Sequence, residues 1–210
     1  MATDKAQSWE YCEQYPVEPE TIAAAREVAL ELGAQPVSVG TGALLRVLAA
    51  AKDARAVVEI GTGAGVGSLW LLEGMNPDGV LTSIDPEAEF QRAARTAIRN
   101  AGVASHRSRF INDRALDVLP RLAQEAYDMV VIDGPAGEVP RYLDHAARLL
   151  RRGSLLVVVN ALWNGNVADP TKRDPNTVIM REMTRALLES EQFTCALLPV
   201  GEGVEVAVRN

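Results

Sequence analysis

Hydrophobic positions along the chain follow two alternating patterns. Short apolar runs, typical of buried strands, alternate with longer stretches in which apolar residues recur every three or four positions, typical of amphipathic helices. Strands are predicted at 56–60, 80–85, 106–113, 127–134 and 153–160. Helices are predicted between them at 66–75, 89–102, 115–124 and 139–152. This alternation indicates an α/β fold in which a mostly parallel central sheet carries helices on both faces.

The two ends of the chain depart from this rhythm. Residues 18–33 predict a helix, and after a turn-rich stretch at 35–42 a second helix runs to Lys52–Asp53. Towards the other end, residues 193–209 contain two strand-like runs about a Gly-Glu-Gly turn. They predict an antiparallel hairpin added at an edge of the sheet.

Length and composition narrow the class of protein. The 210 residues, 48% of them hydrophobic, suffice for one buried core, so we expect a single domain at 18–210 after an N-terminal arm at 1–17. The formal net charge of −7 argues against a nucleic-acid partner, and no apolar run approaches the roughly 18 residues of a membrane span. The polar start lacks a signal-peptide core, and Cys12 and Cys195 form no metal or redox pair. We therefore expect a cytoplasmic protein.

The segment 59–68, EIGTGAGVGS, joins the first predicted strand to a helix through four glycines. Glycine permits a tight turn and close approach of a ligand, and the free N–H groups at the start of the helix attract an anion. That anion is the methionine carboxylate in an S-adenosylmethionine enzyme and a pyrophosphate in a dinucleotide enzyme. Val66 stands where a strict G-x-G-x-x-G pattern has its third glycine, so the loop alone also fits a plain strand-to-helix turn.

Three acidic residues stand at the ends of predicted strands. Asp85 ends the second strand, where a carboxylate can accept hydrogen bonds from ribose hydroxyls or cap the next helix. Glu59 and Asp133 end two otherwise apolar strands, where an acid is unfavourable unless it has partners. Ligands of open α/β sheets bind at this edge. Three converging carboxyl groups favour a sulfonium or a metal ion, and hence S-adenosylmethionine over NAD.

The order of these features resembles that of the small O-methyltransferases related to catechol and caffeoyl-CoA O-methyltransferases. The resemblance covers about residues 18–209. It is carried by VVEIGTGAGVGSLWL (57–71), LTSID (81–85), NDRALDVLPRL (112–122), YDMVVID (127–133), LLRRGSLLVVVNALWNG (149–165) and LLPVGEGVEVAVR (197–209). It implies a Rossmann-like class I methyltransferase fold, S-adenosylmethionine as cofactor, a small-molecule acceptor and a homodimer.

Carried over by position, the resemblance implies a cofactor site along the sheet edge. The methionine part is expected beside Val37 and Gly61–Thr62, and the ribose beside Asp85. The adenine is expected beside Pro86 and Asn112–Ala115. The full set expected at the cofactor is Val37, Glu59, Gly61, Thr62, Gly65, Gly67, Ser68, Asp85, Pro86, Asn112, Asp113, Ala115 and Asp133.

The chain departs from that family at positions that carry chemistry. Val159-Asn160 stands where relatives usually have an Asp-Asn pair, so Asp133 and Asn160 are two of three expected metal ligands. Mg²⁺ prefers near-octahedral oxygen ligands, and the loss of a charged ligand disfavours a metal requirement. Ala136 and Val139 stand in place of the family's lysine and tyrosine. The catalytic base expected from the family is therefore absent.

Ser68 and the two histidines are the other polar candidates for the missing groups. Gly67 stands where relatives usually have a serine that contacts the cofactor carboxylate, and Ser68 is its neighbour. His106 opens a predicted strand and His145 lies within a predicted helix, so both are interpreted as surface or packing residues rather than as the base.

These features favour O-methylation of a small hydroxylated molecule, for example a phenol, with Asp133 as the one catalytic acid of the family that remains near the acceptor. Methyl transfer depends on positioning, and a hydroxyl acceptor also needs a proton acceptor or a metal ion. One alternative is a protein that binds S-adenosylmethionine without catalysis, because the lysine and the metal aspartate are lost. A second is an NAD-dependent oxidoreductase, which is weaker because no Tyr-x-x-x-Lys pair is present.

Overall fold

A computed structural model describes residues 5–210, so the first four residues of the predicted N-terminal arm lie outside the described range. The strands are β1 (Ala56–Ile60), β2 (Val80–Asp85), β3 (Ser108–Asn112), β4 (Tyr127–Ile132), β5 (Leu150–Val159), β6 (Phe193–Leu198) and β7 (Val204–Arg209). The helices are α1 (Lys5–Gln14), α2 (Glu20–Glu31), α3 (Val39–Ala51), α4 (Val66–Gly74), α5 (Ala88–Asn100), α6 (Ala115–Val118), α7 (Val139–Leu149) and α8 (Pro175–Glu189).

The strands form one seven-stranded sheet in the order β3-β2-β1-β4-β5-β7-β6. Strands β1 to β5 are parallel, and Val57 in β1 pairs with Leu81 on one side and Met129 on the other. Strand β7 runs antiparallel to both β5 and β6. The predicted α/β fold with a C-terminal antiparallel hairpin is confirmed. Because β1 lies between β2 and β4, the carboxyl ends of these three strands meet at one edge.

Side chains of the sheet alternate between two apolar cores. Val57 packs on one face with the buried residues of α2, α3, α4 and α5, among them the fully buried Trp70. Val58 packs on the other face with α6, α7 and α8. Successive residues of a strand point to opposite faces, so a strand covered on both sides is apolar throughout. No helix of the described chain is both long enough and apolar enough to cross a membrane.

Helix α3 begins earlier than the sequence pattern predicts. The stretch 35–42 was expected to be turn-rich, but α3 starts at Val39 after Ser38, whose hydroxyl accepts a hydrogen bond from the Thr41 N–H. Its glycines allow close packing rather than a turn. A Cβ atom at Gly42 would lie 2.2 Å from the Trp70 ring, so the glycine lets α3 approach α4.

Helix α8 has no counterpart among the predicted elements, although local signals for it exist. Asp174 caps the helix by accepting a hydrogen bond from the Thr177 N–H, and Pro175 occupies the first turn. Met180, Met183 and Leu187 face the core at helical spacing. Other boundaries shift slightly: a short 3-10 turn at Ser105–Arg107 precedes β3, and another at Leu119–Arg121 continues α6.

Replacing Gly42 with alanine should lower the free energy of unfolding by about 2 kcal/mol, because the new methyl group overpacks the α3–α4 contact with Trp70. Urea denaturation measures the change. Gly137→Ala is the matched control, since a Cβ atom there meets nothing within 4 Å. Equal stability of both variants would contradict the tight α3–α4 contact.

Candidate functional site

The acidic edge of the sheet is held together by the backbone around Gly61. The Gly61 N–H donates to the Ile84 carbonyl at 2.9 Å, and the Asp133 N–H donates to the Ile60 carbonyl at 2.8 Å. Gly61 has a φ of +93°, and a Cβ atom there would lie 1.9 Å from the Asp133 carbonyl oxygen. Only glycine fits this position, which brings the glycine loop against the end of β4.

One cavity opens at this edge. It is lined by the segment 34–37, by residues of the loop 61–67 and by Asp133. Val37, Gly61 and Asp133 were expected here from the sequence, whereas Ala34, Gln35 and Pro36 were not. The segment 34–37 lies between α2 and α3, and its place at the cavity depends on how these two helices pack. A sequence pattern does not reveal that packing.

Glu59 lies beneath the loop with 2% of its surface exposed. Its Oε2 atom accepts hydrogen bonds from the Ser83 hydroxyl at 2.5 Å and from the Ser68 hydroxyl. A Cβ atom at Gly67 would lie 2.7 Å from Oε1, so this glycine leaves room for the carboxyl group. Burial raises the pKa of Glu59 to about 8, against the opposing effect of the two hydroxyl hydrogen bonds. Glu59 therefore supports the loop from below, and Ser68 holds Glu59.

The hydrogen-bond chain continues from Glu59 towards α5. The hydroxyls of Ser83 and Thr62 are 2.6 Å apart, and Gln91 Nε2 donates to Thr62 Oγ1 at 2.9 Å. Gln91 Oε1 is buried without a hydrogen-bond partner. The Thr62 hydroxyl thus belongs to this buried hydrogen-bond chain, and Thr62 also lines the cavity. Ser83 and Gln91 were not among the predicted site residues, because nothing local distinguishes them from other strand and helix residues.

Asp85 connects the glycine loop to the start of α5. Its Oδ2 atom accepts from the Gly63 N–H at 2.9 Å and its Oδ1 atom from the Glu87 N–H at 2.8 Å. Glu87, rather than Asp85, stands at the N-cap of α5. Asn112 Nδ2 donates to the carbonyls of Asp85 at 3.0 Å and Pro86 at 2.8 Å. The residues expected beside ribose and adenine therefore lie together.

The remaining predicted cofactor residues lie around this group. Gly65 has a φ of +95° and precedes the first turn of α4. Asp113 is exposed and accepts a hydrogen bond from the Arg114 N–H, and Ala115 is buried at the start of α6. These positions follow the carboxyl ends of β1 and β3, as the parallel sheet requires.

Asp133 and Asn160 are brought into contact across the crevice. Asn160 Nδ2 donates to Asp133 Oδ1 at 3.0 Å. Asn160 has a φ of +57°, a left-handed conformation that asparagine tolerates better than most residues. Burial, and then the negative charge of Asp85, raises the pKa of Asp133 to about 7. The pair thus presents a carboxyl group oriented by an amide and tuned near neutrality.

The residues at this place do not fit a metal ion. The amide of Asn160 turns its N–H group, not its oxygen, to Asp133, and Val159 contributes a buried isopropyl group where relatives supply a carboxylate. One carboxylate and one hydrogen-bonded amide are a poor donor set for Mg²⁺, which is bound through oxygen. Within residues 5–210, no three His, Cys, Asp or Glu side chains are grouped as metal ligands.

The two histidines lie away from this crevice. His106 sits in the 3-10 turn before β3, at the opposite edge of the sheet from the carboxyl ends, and is exposed. His145 is part of α7, where burial and the neighbouring Arg148 lower its pKa. Their positions agree with surface or packing roles.

Glu138 was not among the predicted site residues but connects two loops of the crevice. It accepts a hydrogen bond from the Tyr142 hydroxyl at 2.5 Å and one from Arg114 Nη2 at 2.8 Å. These bonds lower the pKa of Glu138. Arg114 follows Asn112–Asp113, and Glu138 follows Asp133, so the segment expected beside the adenine is linked to the segment after β4.

The crevice suits a cationic ligand that carries hydrogen-bond donors. Among the described residues, neither a lysine nor an arginine forms an ion pair with Glu59, Asp85 or Asp133. A sulfonium and an ammonium group would supply the missing positive charge, and ribose hydroxyls would donate to Asp85. The donor set and the glycine at position 61 therefore fit S-adenosylmethionine.

Known proteins with similar sequences and structures are described as O-methyltransferases. A proposed O-methyltransferase of Mycobacteroides abscessus is 48% identical over 193 residues, which are 92% of this chain and 90% of that protein. The O-methyltransferase TomG of Streptomyces achromogenes, involved in tomaymycin synthesis and solved with S-adenosylmethionine, has a TM-score of 0.86 and 30% identity, with 100% of both chains covered.

A second solved structure extends this likeness. An O-methyltransferase of Bacillus cereus, solved with S-adenosylhomocysteine, has a TM-score of 0.86 and 25% identity over 97% of this chain and 99% of that chain. The fold is thus the Rossmann-like class I methyltransferase fold. Residues 13–210 match the O-methyltransferase family, and the chain belongs to this family of S-adenosylmethionine-dependent enzymes.

Proposed function

We propose that this O-methyltransferase methylates the hydroxyl group of a small, phenolic acceptor without a metal ion, and that Asp133 accepts the hydroxyl proton. The observation that carries the proposal is the contact between Asp133 and Asn160, the two positions that the family resemblance implies as metal ligands. A buried carboxyl group whose pKa lies near 7 suits a general base at neutral pH.

The proposed reaction requires the residues of the crevice to accept a proton and to hold the donor in line with the acceptor. Bound S-adenosylmethionine supplies an electrophilic methyl group. The acceptor oxygen forms a bond to that methyl carbon while the carbon–sulfur bond breaks and its electron pair stays on sulfur. The hydroxyl proton passes to Asp133, whose orientation Asn160 maintains. The loop 61–67 and Asp85 hold the donor, so that the reacting atoms meet in line.

A second candidate function is binding of S-adenosylmethionine without methyl transfer. The observation that favours it is the combination of Ala136 and Val159, which removes the family's lysine and one metal ligand. Both side chains are buried and apolar, so neither can take part in proton transfer. An NAD-dependent reaction is disfavoured, because the carboxyl group of Asp133, which lines the cavity beside the glycine loop, would face a pyrophosphate.

Assembly and location are part of the proposal. We propose a homodimer on the basis of the family resemblance, with one catalytic domain at 18–210 and an N-terminal arm at 1–17. We propose a cytoplasmic location because Cys12 is exposed as a free thiol, which suits a reducing compartment. Light scattering coupled to size-exclusion chromatography measures whether the protein is a dimer in solution.

Isothermal titration should detect binding of S-adenosylmethionine, and not of NAD⁺, with equal affinity in Mg²⁺ and in EDTA. Incubation with a panel of mono- and dihydroxylated phenols should then release S-adenosylhomocysteine in EDTA. Binding without product from any acceptor would support the second candidate function. Binding of NAD⁺ alone would refute both.

Asp133→Asn should lower kcat for a phenol methylated by the wild-type protein by about 10²–10⁴-fold, because the amide cannot accept the proton. S-adenosylhomocysteine formation measures the rate, and circular dichroism checks the fold. Asp144→Asn, an exposed change on α7, is the control and should leave the rate unchanged. Methyl transfer that persists unchanged in Asp133→Asn with EDTA present would exclude the base.

The free energy of unfolding without cofactor should fall as the pH rises from about 5 to 8. In this window the unfolded chain releases the Glu59 proton while the folded protein keeps it, because the folded-state pKa is raised to about 8. Glu59→Gln should reduce this fall by about 3–4 kcal/mol at pH 8 relative to pH 5, while the part due to the raised pKa of Asp133 remains. Urea denaturation at several pH values measures it.

The exposed Glu31→Gln change in α2 is the control and should keep the wild-type slope. Saturating S-adenosylmethionine should also reduce the slope in the wild-type protein, because a bound cation favours the ionised acids. A slope shared by all three proteins would contradict a buried, protonated Glu59.

A further inference from the structure

The carboxylate of Glu13 links helix α1 to two other segments of the domain. None of its residues is buried, and Trp9 and Tyr11 are at least half exposed. Glu13, near its end, accepts a hydrogen bond from the Gly40 N–H at 3.1 Å through Oε2. Its Oε1 atom accepts one from the Gly201 N–H at 2.5 Å. One side chain thus bonds two segments that are far apart in sequence.

The surroundings of Gly40 are shaped for this carboxylate. A Cβ atom at Gly40 would lie 2.6 Å from both Glu13 oxygens, and its three nearest neighbours would all be Glu13 atoms. Gly40 lies in the first turn of α3, where N–H groups lack helical partners and a negative charge is favoured. The Ser38 hydroxyl accepts from the Thr41 N–H of the same turn. Glu13 and Ser38 together satisfy two of these donors.

Each of the two segments held by Glu13 is connected to residues of the candidate site. Gly40 continues the segment 34–37, which lines the cavity with Asp133. Gly201 belongs to the turn between β6 and β7. That turn accepts hydrogen bonds from the residues after Asn160: the Ala161 N–H donates to the Gly203 carbonyl at 2.8 Å and the Leu162 N–H to the Glu202 carbonyl at 2.9 Å.

We propose that Glu13 is a positioning residue that fixes the separation between the 34–40 segment and the 199–203 turn, and so the width of the acceptor side of the crevice. This inference rests on the proposed function for the acceptor. A carboxylate has two oxygens that can each accept from a different N–H, and such charge-assisted bonds are the stronger ones. If either segment moves outward, its hydrogen bond to Glu13 must break.

Glu13→Gln tests this inference, because an amide offers one acceptor oxygen and turns an N–H group towards the second donor. Amide hydrogen exchange of the protein without ligands, followed by NMR, should be about tenfold faster at Gly40 or Gly201. Exchange at Ala161 and Leu162 should rise with it, since their acceptors lie in the turn. Glu10→Gln is the matched control: Glu10 lies one turn earlier on α1, where it accepts from Gln14.

Gly40→Ala provides an independent route to the same state, because its methyl group displaces Glu13 alone. Gly40→Ala and Glu13→Ala should each accelerate hydrogen exchange at the same amides. The variant that combines the two substitutions should exchange no faster than either single variant. Additive effects would mean that Gly40 acts through another contact and would overturn the inference. Faster exchange at Gly40 and Gly201 without a change at Ala161 and Leu162 would overturn it too, because Glu13 would then anchor α1 only.

Kinetics separate positioning from mere folding. With a phenol that the wild-type protein methylates, Glu13→Gln should lower kcat/KM for the phenol about tenfold and raise the Kd of S-adenosylmethionine by less than that, because Val37 of the held segment is expected beside the donor. An equal loss of both would indicate general destabilisation and contradict the inference. Absence of methyl transfer in the wild-type protein would contradict the proposed function, and the exchange data would still decide the role of Glu13.

Discussion

The active crevice depends on keeping acidic side chains buried at the ends of parallel strands. Glu59 and Asp133 both lie in a region where an ionised carboxylate is poorly solvated, and both have raised pKa values for that reason. The hydroxyls of Ser68 and Ser83 support one acid, and the amide of Asn160 supports the other. Burial of these acids lowers the stability of the protein without its cofactor and favours binding of a positively charged donor molecule. The same residues therefore reduce stability and promote cofactor binding.

Much of the fold could be predicted from the sequence because its signals are local. The apolar runs of β1, β2, β4 and β5 and the glycine loop are readable from a few neighbouring residues, and parallel strands then place their carboxyl ends at one edge. The hydrogen bond between Asp133 and Asn160 is not readable from the sequence, although Asp133 is expected at a strand end and Asn160 is expected from the family resemblance. Their hydrogen bond follows from the β4–β5 pairing.

What could not be predicted depends on packing between distant segments. The glycines of α3 suggested a turn, since glycine weakens an isolated helix, but Trp70 and Glu13 need the space that they leave. Ser83 and Gln91 become site residues only because β2 and α5 bring them beside Thr62. Helix α8 is different, since Asp174-Pro175 and its apolar spacing were visible in the sequence.

The hairpin of β6 and β7, which accepts hydrogen bonds from the residues after Asn160, is also the last part of the sheet to be synthesised. Strands β1 to β4, the glycine loop and Asp85 precede this hairpin in the chain and leave the ribosome before it. The residues after Asn160 find their partners at Glu202 and Gly203 only when the hairpin has followed. The residues after Asn160 therefore cannot reach their folded positions until nearly the whole chain has been synthesised.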